Sequence, residues 1–119
     1  MFKEALREVV EGTDGGIAGL LMGMDGIAVE SFANEGAELD INAVGMELSM
    51  VLKGICRAAE QLEAGKAREI AIQSERLTTI VRMLNAEYFL ALALAPDGNY
   101  GKGRFMLRVV GPRILAALE

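Results

Sequence analysis

The sequence predicts an α/β fold of the α+β type: a five-stranded antiparallel sheet sandwiched between one long helix and two terminal helices, in the order α-β-β-α-β-β-β-α. Three observations carry that expectation. Gly15-Gly-Ile-Ala-Gly-Leu-Leu-Met-Gly-Met-Asp-Gly-Ile-Ala-Val-Glu-Ser-Phe32 reads as two apolar runs joined by one Asp-Gly step. Apolar residues recur at helical spacing from Asp40 to about Glu63. Three strand-like runs then follow one another between Glu69 and Ala95, with short links between them. With 119 residues, one domain spanning 1–119 is the simplest organisation.

Residues 2–11 predict a short amphipathic helix, with Phe2, Leu6, Val9 and Val10 on one face and Lys3, Glu4, Arg7 and Glu8 opposite. Gly12 and the Asp14-Gly15-Gly16 cluster end it. The apolar run from Gly15 to Met24 is about half the length of a membrane span, and its glycines weaken it as a helix. Those glycines match neither dinucleotide nor phosphate-loop spacing, and a strand-like segment follows them. Asp25-Gly26 is instead a hairpin turn between strands 16–24 and 27–33, because glycine supplies the positive φ of a tight turn. The remaining glycines mark close approach to a covering helix.

Asp40 is the expected N-cap of the long helix. Ile41, Val44, Leu48, Val51, Leu52, Ile55, Ala59 and Leu62 form its core-facing stripe. Met46, Met50 and Gly54, with Ala43 and Ala58, lie partly off that stripe, so the helix is too apolar around its circumference for one buried face. It is expected to pack on its own sheet and on another chain. After Gly65-Lys66, strands are expected at 69–75, 77–83 and 88–95, the last apolar on both faces as a central strand must be. The final helix, from about Gly103 to Leu118, is expected to point Met106, Val109, Val110, Ile114 and Leu118 inward and to kink at Gly111-Pro112.

Composition removes whole classes of function. There is no His and a single Cys, Cys56, which excludes Ser-His-Asp and Cys-His catalysis, His metal sites, zinc clusters and an intrachain disulfide. A net charge of −5 argues against general nucleic-acid binding. Charge is unevenly placed, at −8 over residues 1–50 and +3 over 51–119. The charged helical start carries no signal-peptide pattern, so the chain is expected to be cytoplasmic, with no membrane insertion. Gly98-Asn-Tyr-Gly101-Lys102-Gly103 is too short between its glycines for a phosphate loop and lacks the Ser or Thr after Lys. Glu35/Glu38 and Glu60/Glu63 are read as solvated charges rather than acid–base pairs, and Cys56 as a small core or interface residue. No catalytic, cofactor or metal residue is expected.

The element order, the hairpin Gly19-Leu-Leu-Met-Gly-Met-Asp-Gly-Ile-Ala-Val29 and the long helix after it resemble the roadblock/dynein light chain domain family, including its bacterial gliding-motility branch. The resemblance covers nearly the whole chain and implies a profilin-like α/β/α sandwich. It also implies a homodimer in which the middle helix and third strand pair across a twofold axis. The interface candidates are then Met46, Met50, Lys53, Gly54 and Arg57 on the helix, with Ile70, Ala71, Ile72 and Gln73 on the strand. By the same resemblance the chain is a non-enzymatic regulator or scaffold of a Ras-like small GTPase, acting on its nucleotide cycle or localisation. Arg82, Lys102, Arg104 and Arg108 are candidate partner contacts, and Arg57, Arg82, Arg104 and Arg108 are the arginines available to reach a nucleotide. The alternative is a structural adaptor that links proteins independently of nucleotide state. Gly111-Pro112 departs from the family, many of whose members run the last helix without a break.

Overall fold

The computed structural model describes residues 1–119. Its elements are α1 (Phe2–Glu11), β1 (Gly16–Gly23), β2 (Ala28–Ala33), α2 (Ile41–Gln61), β3 (Glu69–Gln73), β4 (Thr78–Met83), β5 (Tyr88–Leu94) and α3 (Tyr100–Leu118). The order is the expected one. All strand pairs are antiparallel, and the sheet runs β2-β1-β5-β4-β3.

Alternation along β5 builds two cores from one strand. Leu90, Leu92 and Leu94 point to the side where α1 and α3 lie side by side, joining Leu6, Val9, Val10, Leu107, Val110 and Ile114. Phe89, Ala91 and Ala93 point to the other side, where they join Ile41, Leu48 and Leu52 of α2 and Ala18, Leu20 and Met22 of β1. As the central strand, β5 is covered on both faces, which is why its sequence shows no polar alternation.

The hairpin turns as the Asp25-Gly26 step requires, with one refinement. Three residues, Met24 to Gly26, separate the bonded pair Gly23 and Ile27. Gly26 holds the left-handed conformation at φ +85°, and Asp25 Oδ1 accepts from the Ile27 amide at 3.0 Å. Gly16 and Gly19 lie beneath α1. A Cβ on Gly16 would press into the Val10 carbonyl, and one on Gly19 would sit 3.2 Å from Val10 Cγ2.

The long helix starts where expected, with Asp40 Oδ1 accepting from the Asn42 and Ala43 amides at 3.1 and 3.3 Å. It ends two residues early. Glu63, not a glycine, takes the left-handed conformation at φ +56°, and the Ala64 amide closes the end on the Ala59 carbonyl. Two members of the expected core stripe, Val51 and Leu62, are exposed. Gly45 and Ser49, on the other flank of the stripe, are buried instead, so the packed face is rotated towards the small residues.

The last helix begins three residues earlier than expected because Asn99 caps it, its Oδ1 accepting from the Lys102 amide at 3.0 Å. That cap absorbs the glycine-rich stretch before it. The helix continues through Pro112 as a single element. Val109 does not point inward but is exposed, and Leu107 takes the core position.

Candidate functional site

The outer side of α2 is the most conspicuous surface. Met46 and Met50 are 58% and 72% exposed, and Val51 lies open beside them. Lys53, Gly54 and Arg57 continue the same side to the end of the helix. Nothing lies within 4 Å of a Cβ built on Gly54, so this part of the helix presents bare backbone to its surroundings.

At one end of the sheet, β3 is an edge strand, bonded to β4 and to no strand on its other side. Ile70 is half-buried against the α2 core, and Ile72, two residues along the same face, is 42% exposed. Ala71 and Gln73 are exposed as well. A free strand edge flanked by apolar side chains is a template for pairing with another strand. Every interface candidate other than Ile70 is therefore exposed, and Ile70 lies at its margin. Cys56 is half-buried on the same helix, as a small residue at an interface margin would be.

The four arginine candidates divide into two pairs. On the opposite side of the sheet, Glu69 of β3 receives Arg104 Nε of α3 at 2.6 Å and stands 3.9 Å from Arg82 Nη1 of β4. Arg82 and Arg104 are not free guanidinium groups. Both are half-buried and engaged by the Glu69 carboxylate, which lies 35 positions from Arg104, a pairing that sequence spacing did not expose. Arg57 and Arg108 are exposed and have no ion-pair partner, and neither does Lys102, which lies over the Phe105 ring at 5.6 Å.

Nothing in the structure assembles a catalytic centre. Open clefts lie under the β1–β2 turn and between α3 and the end of β4. No cluster of His, Cys, Asp or Glu side chains is arranged to hold a metal ion. No helix is long and apolar enough to cross a membrane. What the sandwich leaves open is an apolar helix face on α2 and an unpaired strand edge on β3.

The particular family follows from comparison. The chain shares 41% identity with MglC from Myxococcus xanthus over 98% of both chains, at a TM-score of 0.71. A Roadblock/LC7 domain from Streptomyces avermitilis, 10% identical, superposes at 0.86 over 98% of this chain and 96% of that one. Profilin IA of Acanthamoeba castellanii, 11% identical, has the same fold over the full length of both chains at 0.65. A scan of protein-family models and a search of curated proteins give no match. The chain belongs to the roadblock family, as a relative of MglC, and its sandwich is profilin-like.

Proposed function

We propose that the chain is a homodimeric regulator or scaffold of a Ras-like small GTPase in the cytoplasm, assembled through the outer face of α2 and the free edge of β3. The observation that carries this reading is the exposed run Met46, Met50, Val51 and Gly54 on α2, together with the unpaired β3 edge, whose Ile70 packs with the core under α2 and whose Ile72 is exposed. Two copies related by a twofold axis would bring helix face to helix face and strand edge to strand edge, because such an interface uses one patch twice. Large apolar side chains that are exposed in one chain and buried in two contribute about 1.5–3 kcal/mol each when fully covered. Membership of the roadblock family, at 41% identity to MglC, supports the same reading.

The partner GTPase would supply the nucleotide site and the chemistry. Two of the four arginines are held by Glu69, which favours reshaping of the partner's switch loops over insertion of an arginine at the transferring phosphate. The test is a pull-down with Ras-like small GTPases from the same organism, each loaded either with a GTP analogue or with GDP. Preference for the GTP-analogue form is the expected result. Equal binding would favour a nucleotide-blind adaptor, and no binding to either form would remove the GTPase reading.

A further inference from the structure

The α3 helix carries a surface that the proposed dimer does not use. It lies on the other face of the sheet from α2. Between Tyr100 and Leu118 it has four cations, Lys102, Arg104, Arg108 and Arg113, and no acidic residue, in a chain whose net charge is −5. Helical spacing arranges these residues around an apolar ridge. Phe105 and Val109, 51% and 43% exposed, run on into exposed Pro112 and Ala116. Lys102 and Arg113 border the ridge on the α1 side, where Arg113 reaches Glu8 at 3.0 Å. Arg104 and Arg108 border it on the β4 side, where Arg82, Leu84, Arg108, Pro112 and Leu115 line a cleft of about 230 Å³.

We infer that this ridge docks a partner protein through an acidic amphipathic helix, its apolar face on Phe105 and Val109 and its carboxylates towards Lys102 and Arg108. Charge complementarity selects the sign of the partner, because Lys102 and Arg108 have no ion-pair partner of their own. The ridge selects an amphipathic helix, which presents apolar anchors at matching spacing. Geometry selects a helix over a flat anionic bilayer. α1 lies beside α3 in the same layer and exposes three acidic residues, Glu4, Glu8 and Glu11, against two basic ones, Lys3 and Arg7, so a flat anionic surface would meet a net-acidic neighbour that a single helix along α3 largely avoids.

The test uses the full chain, isotopically labelled, and three probes. They are a synthetic helical peptide with one leucine face flanked by glutamates, its scrambled isomer of equal charge, and vesicles of phosphatidylserine and phosphatidylcholine. The amphipathic peptide is expected to shift the amides from Lys102 to Ala116. Phe105→Ser and Arg108→Glu should each weaken it roughly tenfold, as truncating an interface anchor does, with the circular dichroism spectrum unchanged. Equal binding of the scrambled isomer, shifts confined to α2 or β3, binding to vesicles alone, or no binding would each overturn the inference. The oligomeric state is not the readout, so the result stands apart from the dimer and GTPase readings.

Discussion

The helices α1 and α2 cover opposite faces of one sheet, and their inner sides are alike. Leu6 of α1 and Leu52 of α2 are both fully buried. Their outer sides differ in the large apolar side chains they expose. α1 presents Lys3, Glu4, Arg7, Glu8 and Glu11, with Arg7 bonded to Glu11 one turn away at 3.0 Å. α2 presents Met46, Met50, Val51 and bare Gly54. A charged outer side is complete in water, whereas an apolar one of this extent leaves transferable surface uncovered. The contrast separates a helix that only closes a core from one that also leaves an apolar face open.

The shared inner sides give the largest expected effect. Leu6→Ala and Leu52→Ala should each lower stability by about 2–5 kcal/mol, the usual cost of emptying a buried leucine site. Denaturant unfolding followed by circular dichroism checks this, and a loss confined to one of the two would break the symmetry. Gly16→Ala should cost about 1–3 kcal/mol, because the new methyl meets the Val10 backbone carbonyl and α1 must shift. Thermal melts compared with a Gly36→Ala control, where space is open but φ is +80°, separate crowding from backbone strain.

Smaller effects sharpen the comparison at the outer sides. Glu69→Gln should cost about 1 kcal/mol, since its carboxylate gathers Arg104 and Arg82 but remains partly in contact with water. Glu63→Gly should stabilise by about 0.5–1 kcal/mol, by relieving a left-handed residue at the end of α2. Arg7→Ala on the finished side of α1 should change stability by less than about 0.5 kcal/mol, as exposed pairs do. Chemical denaturation at matched chain concentration measures all three.

The strands and the first helix were legible because their side-chain periods are short-range properties of the chain. Alternation along β5, the Asp25-Gly26 step and the Asp40 cap each depend on a few consecutive residues. The differences arise where a distant partner decides. Val51 and Val109 sit at good helical spacing for a core, but the packed face of each helix is set by which small residues let it approach the sheet, Gly45 in α2 and Gly103 in α3. The engagement of Arg82 and Arg104 is not legible in sequence, because Glu69, which meets both, is adjacent to neither. The end of α2 was misplaced because Glu63 adopts a conformation for which Gly65 is the better sequence signal.

The central claim is that the outer face of α2 mediates self-association. Light scattering on the double variant Met50→Glu/Gly54→Glu tests it most directly. Met50 is 72% exposed and a side chain at Gly54 meets nothing, so the fold of one chain tolerates both changes. Replacing a helical glycine also favours the helix. The account predicts that the native chain scatters at twice the 12.7 kDa chain mass and the folded variant at that mass alone. A folded variant that keeps the doubled mass, or a native chain that scatters as a monomer, would contradict it.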